Sequence, residues 1–214
     1  MGLVKQEMKL KDRPRGVLDR NYVGYFPLWQ KAALVNLVSD INRYHDVTLI
    51  EELMNVLEHN DDSQAMYYGG ARIKPVYVDK NEDVLTLLGL ARCCDMIRGT
   101  NSPWIYTAVG NTTTTTDASP SDTALDAEIL TVTRVNMSDD KVGWREQTGM
   151  KIFYGAIYGE EKSASPIKEV AICQNSSGGT ILNHTRFANA QLARTFKKTL
   201  GIVATVIEFC PMVV

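Results

Sequence analysis

The chain has 214 residues, of which 44% are hydrophobic and 22% are charged, and its formal net charge is −2. This length and composition predict a globular protein with a sizeable core, and a charge this close to zero does not favour binding to nucleic acid or to a membrane. No stretch reaches transmembrane length, and the first residues lack the apolar segment of a signal peptide. Together with the net charge, this leads us to expect neither nucleic acid nor a membrane as a partner. The cysteines, Cys93, Cys94, Cys173 and Cys210, lack the C-x-x-C spacing of metal or redox sites, and free buried thiols are expected.

Residues 1–27 are predicted to form an extended, irregular basic arm, because Pro14, Gly16, Gly24 and Pro27 interrupt them. The charged residues among the first twenty positions are Lys5, Glu7, Lys9, Lys11, Asp12, Arg13, Arg15, Asp19 and Arg20. This excess of positive charge is typical of a solvated or partner-ordered terminus. The alternative is an arm that contacts an acidic surface.

Residues 28–100 are predicted to be rich in helices. Residues 28–44 carry apolar side chains at helical spacing, with a broad face to bury. Residues 48–58 predict a second helix, with Thr48 as its N-cap and Glu51 completing a capping box.

A third helix is predicted after a turn at residues 67–70 and a short edge strand at residues 75–79. Residues 83–98 show the clearest helical face and end at Gly99, a residue type that often stops helices. Glycine inside a helix costs about 1 kcal/mol relative to alanine, so Gly89 predicts close packing at that point.

Residues 101–214 are predicted to form an antiparallel β-sandwich or jelly-roll-like module, because short strand-like segments alternate with turn signals. The predicted strands are residues 104–109, 129–135, 147–158, 168–174, 181–187 and 201–209. The chain is therefore assigned to the α+β class, with a helical N-terminal region followed by the antiparallel β-module.

Two connections within this module are distinctive. Residues 175–180 (NSSGGT) predict a hairpin, because paired Gly178 and Gly179 adopt positive φ easily. Residues 111–122 contain five consecutive threonines and predict a polar loop, either ordered against a neighbouring subunit or flexible at the surface. The other predicted connections are a helical turn at residues 122–128, a charged turn at residues 160–165 and a loop at residues 188–193.

Short motifs follow one another in the second half: residues 104–116, 123–128 (TALDAE), 169–173 (EVAIC), 177–180 (SGGT), Phe187 and residues 200–209. Over roughly residues 83–209 their order and spacing resemble a tailed-bacteriophage structural (tail or virion) protein family with a C-terminal β-sandwich module. Residues 170–173 (VAIC) depart from the Ala-Gly-Leu-Phe that is usual there. The resemblance implies a structural role, because the family motifs are turn and core residues without a catalytic set.

No catalytic, cofactor-binding or metal-binding residue is predicted. His45 adjoins Asp46, and His59 precedes Asp61 and Asp62, but neither spacing places several ligands on one helical face. These residues are therefore predicted to be ordinary polar groups at the surface.

Two kinds of catalytic arrangement have simpler interpretations in this sequence. The carboxylate pairs Asp139–Asp140 and Glu160–Glu161 lie in turn-like stretches and are predicted to be solvated rather than catalytic. The histidines are His45, His59 and His184, and a Ser/His/Asp triad stays open because its members need not be neighbours in sequence, although no Gly-x-Ser-x-Gly motif is present.

Four aromatic residues allow two interpretations. Trp104, Trp144, Tyr154 and Tyr158 fit either an aromatic platform for a sugar or the core of a sandwich. Tyr154 and Tyr158 fall on the same face of their strand, which suits both. The core is the favoured interpretation.

The sequence therefore predicts a non-enzymatic virion structural protein of a tailed virus, made in the host cytoplasm and needing no cofactor. Its expected partners are other copies of itself and other virion proteins, in the tail, neck, baseplate or capsid-decoration region. The main alternative is a carbohydrate-binding module that recognises a host-surface glycan. A small hydrolase is a third.

Overall fold

The structure is a computed structural model, and it describes residues 17–59, 64–82, 84–97, 99, 103–114, 116–130, 133–138, 141–159, 167–187 and 199–209. The helices found there are α1 (Lys31–Tyr44), α2 (Val47–His59) and α3 (Leu87–Ile97), with a 3-10 turn at Leu28–Gln30 before α1. The strands are β1 (Val17–Pro27), β2 (Met66–Tyr68), β3 (Ala71–Ile73), β4 (Tyr77–Glu82), β5 (Val84–Leu85), β6 (Tyr106–Gly110), β7 (Val135–Asn136), β8 (Gly143–Thr148), β9 (Lys151–Tyr158), β10 (Glu169–Cys173), β11 (Asn183–Arg186) and β12 (Thr199–Phe209).

Two five-stranded sheets and one small hairpin organise these strands. The first sheet has the order β4-β1-β12-β9-β8, the second has the order β5-β11-β10-β6-β7, and β2 pairs with β3. The strand pairs are antiparallel. This arrangement confirms the predicted α+β class, mostly β and sandwich-like.

The prediction of an irregular segment up to residue 27 is wrong for residues 17–27, which form β1. This strand pairs with β12 over its whole length on one side and with the edge strand β4 on the other, so it is an interior strand of the first sheet. Residues 1–16, which carry most of the predicted basic arm, lie outside the described residues.

The two faces of β1 are both buried, which removes the alternation that marks a half-exposed strand. Phe26 faces α1 and α2, whereas Val23 and Tyr25 face the second sheet. Gly24 serves close packing rather than a chain break, because a Cβ atom there would lie 2.5 Å from Leu57 Cδ2. The glycine that predicted a break therefore marks the site where α2 approaches the sheet.

The core has two main layers, one on each face of the first sheet. Between this sheet and the helices lie Phe26, Leu34, Leu37, Ile41, Ile50, Leu53, Leu57, Trp144 and Ile202. Between the two sheets lie Val23, Tyr25, Val109, Tyr158, Val170, Phe187 and Val203. These layers combine side chains from all three predicted segments, residues 1–27, 28–100 and 101–214.

The first two predicted helices are confirmed as α1 and α2, but the predicted cap of α2 is wrong. Asp46 Oδ1 accepts hydrogen bonds from the backbone N–H groups of Thr48 (2.9 Å) and Leu49 (3.3 Å). Asp46 thus supplies the side-chain acceptor that satisfies the free N–H groups of the first turn, in place of Thr48 with Glu51.

The third predicted helix exists as α3 but begins later than residue 83. Residues 84–85 pair with β11 as β5, and the Thr86 hydroxyl accepts a hydrogen bond from the Gly89 N–H at 2.9 Å. The close packing predicted at Gly89 is confirmed, because a Cβ atom there would lie 2.6 Å from the carbonyl oxygen of Leu182.

The predicted turns and outer strands are largely confirmed. Residues 175–180 join β10 to β11, with φ of 57° at Gly178 and 79° at Gly179. The turn at residues 67–70 joins β2 to β3, and the edge strand predicted at residues 75–79 is β4, which forms one edge of the first sheet. The strands predicted at residues 104–109 and 201–209 are confirmed as β6 and β12.

Other predictions in the second half are wrong. The single strand predicted at residues 147–158 belongs to two strands, β8 and β9, which Gly149 joins with a φ of 53°. Residues 122–128 are not helical, because Glu128 forms a β-bridge with Gly110 instead.

The strand predicted at residues 129–135 is also wrong within the described residues. Among the residues of that range that the structure describes (129, 130 and 133–135), only Val135 belongs to a strand, the two-residue β7. The connections predicted at residues 160–165 and 188–193 lie outside the described part of the chain, as do the carboxylate pairs at 139–140 and 160–161.

Candidate functional site

Charged side chains converge on the outer face of the second sheet, under the loop that contains the threonines. We call this group the His184 cluster; it consists of Asp122, Asp126, Glu169, His184 and Arg186. The register of β10 and β11 places Glu169 opposite Arg186. His184 lies two positions before Arg186 and so shares its face of the sheet.

Arg186 connects this face to the loop. Its Nη2 donates to Asp126 Oδ1 (2.8 Å) and to Asp122 Oδ2 (3.4 Å), while Nη1 donates to the carbonyl oxygens of Thr116 (3.2 Å) and Asp117 (2.7 Å). Burial raises the pKa of Asp126, but the Arg186 guanidinium outweighs burial and holds this pKa below its ordinary value. One arginine therefore binds the loop through both charge and backbone contacts.

His184 lies between two carboxylates. Its Nδ1 is 2.7 Å from Asp122 Oδ2, and its Nε2 is 3.8 Å from Glu169 Oε1. The side chains of His184 and Glu169 are both 0% exposed. Burial lowers the pKa of His184, but Glu169 and Asp122 outweigh burial and raise this pKa above its ordinary value. The site thus attracts positive charge at the imidazole.

Glu169 also ties the second sheet to residues 122–128. Its Oε2 accepts a hydrogen bond from the backbone N–H of Ala127 at 3.1 Å. A side chain at Gly110 would block this contact, because a Cβ atom there would lie 2.8 Å from the Ala127 carbonyl oxygen and closer still to Glu169 Oε2. Glycine is therefore required beside the buried carboxylate.

A second arginine holds the turn between β10 and β11. Arg134 forms a two-pronged ion pair with Glu128, with Nε–Oε1 and Nη2–Oε2 distances of 2.7 and 2.8 Å. Its Nη1 donates to the carbonyl oxygens of Asn175 (3.0 Å) and Gly178 (2.6 Å). The Arg134 side chain is only 6% exposed, so this contact is largely shielded from water.

A third polar group lies between the two sheets. Asn183 Nδ2 donates to Asp19 Oδ2 (3.2 Å) and Asn21 Oδ1 (3.0 Å), and the Thr205 hydroxyl donates to Asn21 Oδ1 (2.6 Å). Asn183 Oδ1 accepts from the Ile172 N–H at 2.9 Å. These buried hydrogen bonds link β1 and β12 of the first sheet to β10 and β11 of the second.

Of the histidine–aspartate pairs considered from the sequence, the structure describes both members only for His45 and Asp46, which have different partners. His45 is exposed and contacts Glu146 Oε1 at 3.0 Å, while Asp46 caps α2. His59 lies at the exposed end of α2, and Asp61 and Asp62 are outside the described residues.

The aromatic platform is not available at the surface. Trp104, Trp144, Tyr154 and Tyr158 are all buried, which confirms the core interpretation. The Trp144 ring lies against Gly155 on the neighbouring strand, in space that a Cβ atom would occupy.

A shallow groove beside α2 carries a further polar group. The Tyr22 hydroxyl donates to Glu58 Oε2 at 2.5 Å, and Lys80 Nζ donates to Glu58 Oε1 at 2.7 Å. Arg20, which also lines the groove, donates to Glu208 at 3.5 Å. The carboxylate of Glu58 is thus already paired within the chain.

The His184 cluster has features of a structural site. A catalytic triad would place a hydroxyl at the Nε2 atom of His184, but the group that faces this nitrogen is the Glu169 carboxylate. The candidate ligands for a cation are Asp126, Glu169 and His184, whose donor atoms lie within 4.8 Å of one another. The chemistry that this arrangement supports is the binding of positive charge.

Sequence reasoning assigned no role to His184 and did not identify its partners. The sequence separation between Asp122 and His184 is 62 residues, and that between Ala127 and Glu169 is 42. The sequence does contain one indication of the cluster. Glu169 and Arg186 flank the predicted Gly-Gly hairpin, and the register of that hairpin places them opposite each other.

Comparison of the chain with protein-family models, with curated proteins and with solved structures finds no match. Among the described residues, no helix has the length and apolar character needed to cross a membrane.

Proposed function

We propose that this chain is a non-enzymatic structural protein of a tailed virus, present in multiple copies and held by contacts with further copies and other virion proteins. The main observation behind the proposal is where the fold places the TALDAE, EVAIC and SGGT motifs, on which the family resemblance depends. The fold brings these separate motifs together, and their polar residues contact one another.

Three contacts join these motifs. Ala127, from the TALDAE motif, donates to Glu169, from the EVAIC motif. Asp126 pairs with Arg186, which directly precedes the motif residue Phe187. Glu128 pairs with Arg134, which in turn donates to the carbonyl oxygen of Gly178 in the SGGT turn. The motif residues thus stabilise the fold, as expected of a structural family.

Both edges of the first sheet are protected against pairing with strands of other proteins, which favours specific contacts in an assembled particle. Free strand edges promote unwanted pairing, and charged side chains or covering helices prevent it. The edge strand β4 carries Asp79, Lys80 and Glu82. At the other edge, β8 is partly covered by α1, where Asn42 Nδ2 donates to the Gly143 carbonyl oxygen at 2.7 Å.

Exposed side chains outside the two five-stranded sheets are then the candidates for contacts with neighbouring proteins. Trp29 (70% exposed), Tyr67 (74%) and Leu130 (88%) are large apolar residues that the chain itself leaves in solvent. Aromatic residues are enriched at protein interfaces. We assign Trp29 and Tyr67 as contact residues of the assembled particle.

The residues on which the glycan-binding alternative depends are not accessible to a sugar. Stacking on a sugar requires an accessible aromatic face, and the four aromatic residues considered for it are buried. No observation favours this alternative over the structural role, and it stays a prediction.

Genetic inactivation tests the proposal. A virus with a nonsense codon in this gene is grown in a host that does not suppress it, and its particles are examined by electron microscopy. We expect incomplete particles, and we expect wild-type protein supplied from a plasmid to restore complete ones. The surface control Arg43→Met also restores them, whereas a variant with both Trp29→Ala and Tyr67→Ala does not. Infectious particles of normal form without this chain would contradict the proposal. Intact particles that fail only in adsorption would support glycan recognition instead.

A further inference from the structure

We propose that the His184 cluster binds one divalent transition-metal ion, of which Zn²⁺ is the representative, through Asp126, Glu169 and His184. This inference is independent of the viral role. It rests on the donor atoms of these three side chains, which lie within 4.8 Å of one another. Asp126 comes from the loop, whereas Glu169 and His184 come from adjacent strands of the second sheet.

Two buried atoms of this group have no hydrogen-bond partner. His184 Nε2 and Glu169 Oε1 face each other at 3.8 Å, and both side chains are 0% exposed. A distance of 3.8 Å is too long for a hydrogen bond. Leaving two polar atoms buried without a hydrogen bond is unfavourable. The Arg186 guanidinium lies nearby, but its Nε is 4.0 Å from Glu169 Oε1, too far for a hydrogen bond, so a cation bound between His184 and Glu169 would be favourable.

The distance fits a metal ion better than a proton. A hydrogen bond between an imidazolium and a carboxylate is shorter, about 2.7–2.9 Å. A zinc ion lies about 2.0–2.2 Å from nitrogen and carboxylate ligands. A bent N–metal–O arrangement with such bond lengths spans the 3.8 Å observed between His184 and Glu169.

The outer contacts orient each ligand. Asp122 accepts from the Nδ1–H of His184 at 2.7 Å, which leaves the Nε2 lone pair directed at the site. A carboxylate on the second nitrogen is the usual outer partner of a metal-binding histidine. Ala127 donates to the far oxygen of Glu169, and Thr112 Oγ1 donates to Asp126 Oδ2 at 3.3 Å.

The charges of the cluster match a divalent ion. The carboxylates of Asp122, Asp126 and Glu169 outnumber the single guanidinium of Arg186 by two. A metal ion binds the neutral form of the imidazole and displaces any proton from Nε2. With the imidazole neutral, the group carries two uncompensated negative charges, in surroundings that hold Glu169 and His184 away from water. A divalent cation removes this excess.

The donor types select the metal. One imidazole nitrogen with two carboxylate oxygens suits Zn²⁺ and similar first-row ions, whereas Mg²⁺ and Ca²⁺ prefer oxygen ligands alone. Bound there, the ion joins the loop, through Asp126, to the sheet, through Glu169 and His184. Its role is to stabilise this contact.

The test uses the full chain, freed of metal with a chelator and of any histidine tag, and titrated with ZnCl₂ by calorimetry. Side-chain ¹⁵N spectra of the histidines are recorded in parallel. We expect one Zn²⁺ per chain and a shift of the His184 Nε2 resonance. Asp126→Asn, at a partly exposed position, weakens binding at least about tenfold. His45→Gln and His59→Gln leave the affinity unchanged.

Failure of wild-type protein to bind Zn²⁺ would overturn the proposal, and so would unchanged affinity in Asp126→Asn. A zinc-dependent shift at His45 or His59 without one at His184 would place the ion elsewhere and overturn it too. His184→Gln is the direct test, and it abolishes binding if the variant folds. If the variant does not fold, the histidine spectra of wild-type protein show whether His184 binds the zinc ion.

Discussion

Removal of the Arg134 guanidinium is the most direct test of how the second sheet is held together. Arg134 pairs with both oxygens of Glu128 and donates to the carbonyl oxygens of Asn175 and Gly178. Arg134→Met keeps much of the aliphatic chain but removes these four contacts. It leaves the Glu128 carboxylate and two turn carbonyls without their donor.

The magnitude follows from burial. Removing one partner of a buried ion pair costs about 3–5 kcal/mol, because the other charge is left unpaired. Glu128 is 24% exposed, so water solvates part of its charge in the variant. We therefore expect the lower end of that range, a loss of about 3 kcal/mol in the free energy of unfolding.

Urea unfolding followed by tryptophan fluorescence and circular dichroism measures this loss. Arg43→Met is the matched control, because Arg43 is exposed and its guanidinium lies over the neighbouring Tyr44 ring. We expect a change within about 0.5 kcal/mol. Glu128→Gln combined with Arg134→Met gives a double-mutant cycle, with an expected coupling of about 1 kcal/mol or more. A loss below about 1 kcal/mol in Arg134→Met, the range of exposed pairs, would refute the reasoning.

Three further outcomes follow from other parts of the structure. Gly89→Ala destabilises by about 2 kcal/mol despite its better helix propensity, because the new Cβ meets the Leu182 carbonyl; unchanged thermal and urea midpoints would show that α3 moves aside. Burial opposes ionisation of Glu58, yet hydrogen bonds from Lys80 and Tyr22 hold its pKa below 4.5. The carboxylate therefore stabilises the fold above pH 4.5 and less at lower pH. The difference in the free energy of unfolding between wild type and Glu58→Gln shrinks on acidification, and a constant difference would contradict this. Burial raises the pKa of the Cys173 thiol to about 12, so peptide mapping after native iodoacetamide treatment finds Cys173 unmodified; labelling without denaturant would contradict its burial.

Some of the fold was predictable because the local pattern agrees with the final environment. Residues 28–44 show helical spacing because α1 buries one face and leaves the other in solvent. Gly178 and Gly179 predict a hairpin because their positive φ is a local requirement of the turn. Gly89 was informative for a similar reason, since a glycine inside a helix calls for a packing explanation.

The rest depends on contacts that are distant in sequence. Prolines and glycines predict an irregular segment up to residue 27, and β1 lacks the alternation that would indicate a strand, because both its faces are buried. Its buried side chains include the polar Asp19 and Asn21, which bond to Asn183 across the sheets. The His184 cluster was missed because Asp122 reaches His184 only after the loop crosses the second sheet. Residue identity alone does not reveal such a crossing, and strand register has to be known first.

Quantitative mass spectrometry of virus particles purified from cells that produce this chain tests the proposed virion role most directly. The structural role predicts that the chain is present in every preparation, in several copies per particle and at a constant ratio to other virion proteins. A chain that is abundant in infected cells but absent from purified particles would contradict it.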